Sequence, residues 1–573
     1  MLNPFCALLL QQEIRSLQLL LPLSPAGTAV KPPGTNGWND VSYHGCPQIR
    51  TPNIDALAWN GVRLSRYYTQ ALCTPSRAAL LTGMYPIHTG MQHSVLHQEE
   101  PRGLPLNLKL LPQWLSDLGY DAHIIGKWHL GFYKKEYTPT MRGFRTHVGS
   151  WGCFVDYYSH EKIMQVQRCY GWVFRHSTPT SCSVFSRVSR SCERQRLQRL
   201  DFRRDFRASH MDSGKYLTDL LTDEATKLIM NHPDEKRQHM ATLQVQQLCM
   251  LIPATLYVKV LLLLKSTAGT WLTLEILVSS PSPRDGFWFL HRRPLAVLLG
   301  LLTNIQQQSV KPGSKCTGYV RMVSALDESV GAVFEALDKR GMLSNSIVVF
   351  SSDNGGAPDV ETYNSGSPWP LRGQKMSLSE GGVRAPAVLW SPLLSAAEGS
   401  IFDGLFHITD WLPTFYELAG GSPSSLGAID GVSQLGALTR QTTAPRKEIL
   451  INIDPKENCS AIIEGNFKLV LGVAEQGLYE KWYPLSGHVD WESDKPRQEC
   501  EKSVVARVLE HHGVKPVCGS RTGAYATPVQ CGARDPSREC VPTESLCLFD
   551  LSKDPCEYNN VADQHPEVTF FAT

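Results

Sequence analysis

The sequence predicts an α/β fold: a large mixed sheet flanked by helices, followed by a smaller C-terminal antiparallel sheet domain. Two observations carry this reading. From Gly37 to Ser159, stretches with helical apolar spacing alternate with short apolar strands. After about Thr442 the chain changes to short strand-like runs rich in turns and cysteines. At 573 residues it is long enough for one large core and a companion. The expected divisions are an atypical N-terminal segment 1–36, a main domain 37–441 with atypical stretches 162–200 and 238–318, and a smaller C-terminal α+β domain 442–573.

Taken in order, Thr51-Pro52-Asn53 opens a helix through Ile54, Leu57 and Trp59, because proline suits a first helical turn. Val62 to Tyr68 then reads as a strand. Leu110 to Leu118 reads as a helix, Gly119 as a turn, and Asp121 to Ile125 as the next strand. Val323, Leu326, Val330, Val333 and Leu337 recur at helical spacing and predict an amphipathic helix that begins near Tyr319 and ends before Gly341. The strand Ile347 to Phe350 runs into Ser351-Ser352-Asp353-Asn354-Gly355-Gly356. That puts oxygen-bearing side chains beyond the carboxyl end of a sheet strand, where open α/β sheets bind ligands. Leu450 to Ile453 and Phe467 to Leu471 supply strands of the second domain. Lys162 to about Leu200 is rich in Arg, Ser and Cys without helical or strand period, Gln238 to about Gly318 mixes apolar runs with abrupt polar patches, and such long insertions fit poorly inside a compact domain.

Lys and Arg total 56 against 54 Asp and Glu, so global charge gives no reason to expect nucleic acid or an anionic membrane as partner. Anion recognition has to be local. Six cysteines, Cys500, Cys518, Cys531, Cys540, Cys547 and Cys556, lack metal-finger spacing and favour disulfides in an oxidising compartment. The sequon Asn458-Cys459-Ser460 agrees with a glycoprotein. Leu17 to Leu23, broken by Gln18 and Pro22, makes a poor signal peptide. The apolar stretch Leu248 to Leu264 is short and carries Lys259, so no transmembrane helix is expected.

Three motifs carry chemistry. Cys73-Thr74-Pro75-Ser76-Arg77 continues through Leu80-Leu81-Thr82-Gly83 and runs into a helix, whose amino terminus attracts an anion. Arg77 lies one turn beyond Cys73 and can turn towards the same helix start. Gly126-Lys127-Trp128-His129 follows a strand, and on an extended segment alternate residues face one side, so Lys127 and His129 can meet one ligand. Asp353-Asn354 offers hard oxygens suited to calcium, and Trp369 to Lys375 follows it. Each motif alone also has a plainer reading: a disulfide-bonded or packed Cys73 with a surface Arg77, a solvated Lys127 with a packed His129, and a simple turn at Asp353.

Together these motifs resemble the sulfatase family of the alkaline-phosphatase superfamily. Further segments that fit are Gly152 to His160, Met322 to Gly331, His407 to Thr414, and Leu548 to Leu551 with Asp554 to Glu557. The run of matches is most similar to the animal arylsulfatase B branch and covers most of the chain. The resemblance implies an alkaline-phosphatase-like fold and a sulfuric-ester hydrolase acting on sulfated glycosaminoglycan sugars or aryl sulfates. It implies that Cys73 is oxidised to formylglycine by the formylglycine-generating enzyme of the endoplasmic reticulum. One hydroxyl of the aldehyde hydrate can then attack sulfur while the other expels sulfate, which a serine could not do. It further implies that Lys127 and Lys375 bind sulfate, that Arg77 and His129 hold the nucleophile, that Ca2+ is held by Cys73, Asp353 and Asn354, and that the protein is lysosomal or secreted.

The resemblance breaks at two places. The family carries an adjacent aspartate pair one residue before Gly-Trp-Asn-Asp, but Gly34 and Thr35 stand ahead of Asn36 and Gly37-Trp38-Asn39-Asp40. Calcium affinity should fall with the loss of two carboxylates. A central histidine of the family falls within 238–318, where neither His239 nor His291 has matching surroundings. The alternative expectation is therefore a catalytically impaired chain that only binds sulfated glycans, or a flawed gene model with foreign blocks at segment edges.

Overall fold

The computed structural model describes residues 37–45, 48–153, 155–169, 192–232, 240–245, 316–358, 365–397, 399–485, 493–519 and 529–567, with four dipeptides between 257 and 279. The chain divides into two compact units. One comprises Met1–Val30 and Pro253–Leu299, the other Lys31–Ile252 and Gly300–Thr573. In the smaller unit the described residues form two short antiparallel pairings, Tyr257–Val258 with Val278–Ser279 and Leu264–Lys265 with Trp271–Leu272.

The larger unit has the α/β architecture, with mixed sheets covered by helices. A four-stranded sheet runs in the order Val348–Ser351, Ala387–Trp390, Val62–Leu64, Ser400–Phe402, with antiparallel pairs and one parallel pair. Its Ala387–Trp390 strand is buried on both faces. Val388 and Trp390 point to the helices Pro52–Trp59, Cys316–Lys339 and Val504–His511 through Ile54, Leu57, Phe334, Val505 and Leu509. Their neighbours Ala387 and Leu389 point the other way, to Ala79 of the helix Cys73–Thr82 and to Trp411. The period of two along one strand thus feeds two cores.

A five-stranded sheet has Thr146–Gly149, Asp121–Gly126 and Met240–Val245 in parallel, with Arg203–Arg204 and Arg207–Ala208 added antiparallel at one edge. Its Asp121–Gly126 strand sends Ile124 towards Leu111 and Leu115, and Ile125 towards Leu220 and Leu221. The Pro52 helix is locked from a distance. Asp327, buried on the Cys316–Lys339 helix, accepts from the backbone amides of Asn53 at 3.0 Å and Ile54 at 2.9 Å, which have no partner within their own first turn.

Three expectations need correction. The run Val62 to Tyr68 is two strands, since the chain turns at Ser65–Arg66 and Tyr67–Tyr68 pairs separately with Phe406–His407. Ser65 N–H donates to the Phe402 carbonyl and Phe406 N–H to the Arg66 carbonyl, so this turn hands the chain from one sheet to the other. Within 162–200, Glu161–Cys169 and Cys192–Leu200 form an antiparallel ribbon with Glu161 opposite Leu200 and Cys169 opposite Cys192. Within 238–318, Met240–Val245 lies in register on Asp121–Gly126. Pairing is made by backbone amides and carbonyls, to which a reading of apolar period is blind.

At the C-terminal end, Glu448–Asp454, Cys459–Glu464, Phe467–Leu471 and Cys547–Asp550 form an antiparallel sheet in that order. Alternate residues Ile449, Ile451, Ala461 and Ile463 face Tyr68, Leu378 and Val383. All six of the singled-out cysteines are paired, as Cys500–Cys518, Cys531–Cys556 and Cys540–Cys547. Among the described residues no helix is long and apolar enough to cross a membrane.

Candidate active site

Cys73 is the first residue of the helix Cys73–Thr82 and is fully buried. Leu72 before it is extended, and Ser76 accepts the Gln70 amide proton at 2.9 Å, so the chain enters the helix in one fixed direction. Thr74 ties the second motif to the first: its hydroxyl donates to the His129 carbonyl at 3.0 Å and accepts from Leu96 N–H at 3.1 Å. Arg77, also buried, donates to the Lys127 carbonyl at 2.6 Å and lies 3.1 Å from Asp353 Oδ2. One guanidinium therefore holds two separate loops against the helix that carries Cys73.

Lys127 and His129 reach the site by a route the sequence did not suggest. The strand ends at Gly126, with φ of 114°, and His129 has a left-handed φ of 63°. The two side chains are brought inward by this turn, which Trp128 and His129 secure by donating backbone bonds to Ser150 and Trp151, not by alternation along an extended segment. His129 Nε2 lies 3.0 Å from the Leu96 carbonyl and must donate to it, which leaves Nδ1 unprotonated beside the Cys73 side chain. Burial, with Lys127 nearby, lowers the imidazole to about 3, so the ring is neutral.

Asp353 and Asn354 lie at the end of the Val348–Ser351 strand. The loop is pressed onto the segment Glu380–Val383, where a Cβ on Gly355 would lie 1.8 Å from the Gly381 carbonyl oxygen. Cys73 Sγ donates to Asn354 Oδ1 at 3.6 Å, and Lys375 Nζ lies 3.5 Å from Cys73 Sγ. The charges that act on Asp353 are those of Cys73, Arg77, Lys127 and Lys375. Cys73, Arg77, Lys127, His129, Asp353, Asn354 and Lys375 thus lie around one point. Burial raises the Asp353 carboxyl, and the three cations oppose that shift.

Asp353 Oδ1 is buried without a hydrogen-bond partner among the described residues, and the neighbouring Asn354 Oδ1 accepts from Cys73 Sγ, so two hard oxygens stand on adjacent residues. That chemistry fits calcium, though two donors are a fraction of the roughly six to eight it takes. Gly34, Thr35, His239 and His291 lie outside the described residues. Gly37 is described: a Cβ there would meet Ser367 O at 2.2 Å and Gly356 Cα at 3.0 Å, so the chain arrives beside the Asp353 loop. Asp40 anchors it by accepting from Gly37 N–H, Ser367 N–H and the Tyr319 hydroxyl.

One neighbour was missed as a site residue. Cys153 is buried against Cys73, and burial pushes its thiol up to about 11 despite Lys127, Lys162 and Lys375. Its only sequence signal was its place in the Gly152 to His160 run.

The chain is 36% identical to arylsulfatase J of Mus musculus over 419 residues, 73% of this chain and 56% of that protein's length. It is 29% identical to N-acetylgalactosamine-6-sulfatase of Homo sapiens over 413 residues, 70% of this chain and 63% of the relative. The chain thus spans less than two thirds of the length of either protein. The PsFucS1 sulfatase of Pseudoalteromonas sp. superposes with a TM-score of 0.53 at 18% identity, covering 100% of this chain and 94% of that one, which is a likeness of fold. The profile of the sulfatase family matches residues 35–248 and 273–422, which hold all of the residues gathered around Cys73, and the chain belongs to that family.

Proposed function

We propose that the protein is a sulfuric-ester hydrolase of sulfated sugars whose nucleophile is formylglycine made from Cys73. The observation that carries this reading is the gathering at Cys73 of three buried basic side chains, Arg77, Lys127 and Lys375, which all act on Asp353, with Lys375 Nζ 3.5 Å from Cys73 Sγ. Buried basic side chains beside the nucleophile favour an anion and the charge that develops on its oxygens. Cys73 Sγ stands in for the oxygen of the modified residue. After oxidation the same carbon carries two hydroxyls, one to attack sulfur and one to assist the release of sulfate. Lys127 and Lys375 bind sulfate oxygens. His129, neutral and held by Leu96, accepts a hydrogen bond from the hydroxyl and so orients it. Arg77 fixes Asp353 and the Lys127 loop.

Asp353, Asn354 and the modified Cys73 would hold a calcium ion, which would supply polarisation of a sulfate oxygen. With Gly34 and Thr35 where the family has aspartates, its affinity is low; Gly34→Asp with Thr35→Asp raises it in a calcium titration. For the substrate, the arylsulfatase B resemblance and a relative named for N-acetylgalactosamine 6-sulfate support sulfated N-acetylgalactosamine of glycosaminoglycans, with the 4-sulfate as first choice. We assign catalysis to 37–441, a supporting role to 442–573, and a lysosomal or secreted location; the three disulfides support the oxidising compartment.

The test is peptide mass spectrometry at Cys73 after expression with the formylglycine-generating enzyme, followed by assays on a chromogenic aryl sulfate and on 4- and 6-sulfated N-acetylgalactosamine. Aldehyde or hydrate at Cys73 with sulfate release supports the hydrolase. Intact thiol, with retained affinity for the sulfated sugar, supports the second reading of a non-catalytic binder, which the residues Gly34 and Thr35 favour.

A further inference from the structure

Far from Cys73 in sequence, the helices Cys316–Lys339 and Val504–His511 end side by side, packed through Phe334 and Leu337 against Val505, Val508 and Leu509. At their ends Asp338 Oδ1 lies 2.6 Å from His512 Nε2 and Asp338 Oδ2 lies 3.8 Å from His511 Nδ1. One donor atom from each residue can be chosen so that all three lie within 4.8 Å of one another, the only such trio among the described residues. We propose that Asp338, His511 and His512 form a binding site for a transition-metal dication of the zinc type.

Three features support it. First, two imidazole nitrogens and one carboxylate oxygen suit a borderline ion such as Zn2+, whereas calcium prefers oxygen alone. Second, both helices present their carboxyl ends, whose carbonyls carry partial negative charge and favour a cation. Third, the ligands are held by closed helix ends. Gly341, with φ of 68°, donates to the Asp338 carbonyl, and Gly513, with φ of 77°, donates to the Glu510 carbonyl. These left-handed caps turn the chain away immediately after the ligands. The Cys500–Cys518 disulfide brackets the second helix on both sides. His511 is 76% exposed and has room to rotate towards the ion, leaving the remaining positions to water. The nearby Lys339 is engaged by Glu335 at 2.8 Å. A bound ion would clip the two helices together and so favour the folded state.

Zinc chloride titrated calorimetrically into the full chain carrying Cys73→Ala, which removes the thiol of the other cluster, should reveal a site that also raises the melting temperature. In the same background His511→Ala with His512→Ala loses that site and the thermal shift, while its metal-free melting temperature stays with the parent, because both side chains lie at the surface. Asp338→Asn weakens binding in the same assay and serves if the double variant misfolds. Calcium chloride produces no shift that depends on the two histidines. Absence of zinc uptake by the parent, or equal uptake by parent and variants, would overturn the proposal.

Discussion

Two buried clusters of charge are built on opposite principles. In the C-terminal one, the fully buried Lys468 ammonium lies 3.1 Å from Glu380 Oε1 and 2.9 Å from Glu557 Oε1. Glu380 Oε2 takes the Tyr68 hydroxyl at 3.1 Å and adjoins Arg384, while Glu557 Oε2 takes the Glu380 amide. Lys468 and Arg384 touch the carboxylates and Arg372 adds its charge to Glu557 from farther off, so both carboxylates are engaged by cations. Around Cys73 the cations Arg77, Lys127 and Lys375 act on Asp353, which keeps one oxygen without a hydrogen-bond partner among the described residues. A buried network in which each carboxylate is engaged holds parts of a fold together; one that leaves a carboxylate oxygen open beside a nucleophile is held by the fold for something else to complete.

Removing charge should therefore have opposite consequences in the two places. Lys468→Met removes the cation that both buried carboxylates share and is expected to cost about 3–5 kcal/mol in urea denaturation. A loss below about 1 kcal/mol would mean that the glutamates simply take up protons, and the contrast would fail. In the Cys73 cluster, Lys127→Ala and Lys375→Ala relieve like-charge repulsion and leave stability nearly unchanged or higher. They instead weaken sulfate-ester turnover roughly 10²–10³-fold, each in the formylglycine-bearing protein. Lower stability with normal turnover in either variant would make that lysine a structural residue.

The two clusters also differ in how far the sequence revealed them. Cys73 with Arg77, Lys127 with His129, and Asp353 with Asn354 are each pairs within five residues, so local motifs expose them one pair at a time. Their meeting was implied by resemblance. Lys468 is 88 residues from Glu380, and nothing near either marks the pairing. Asp327 likewise caps a helix 274 residues away. Helices and strands with clean period were legible, including the long helix ending at Lys339 and the strand Phe467–Leu471. The Glu161–Cys169 ribbon and the Met240–Val245 strand were not, because backbone pairing leaves no periodic trace there.

The smallest expected difference concerns acid, and it belongs to the scaffold of the Cys73 cluster. His147 is buried under the corner that delivers Lys127, with Nε2 3.2 Å from the Gly126 carbonyl, and burial lowers its imidazole to about 4. No histidine is among the described partners of Lys468. Because the folded value lies below the ordinary 6.5, the unfolded chain binds the proton first as pH falls. The stability that neutral His147 contributes is thus complete above pH 6.5 and is lost progressively as pH falls towards 4. At pH 5.5 the loss from this one group is roughly 1 kcal/mol. His147→Gln keeps an amide that can donate to Gly126 but has no proton to gain. The drop in unfolding free energy between pH 8 and pH 5.5, measured in urea, should be smaller in the variant by about that amount. Equal drops in parent and variant would show that His147 takes up its proton as readily folded as unfolded, and the acid sensitivity would then have to come from other groups around the site, His129 first among them.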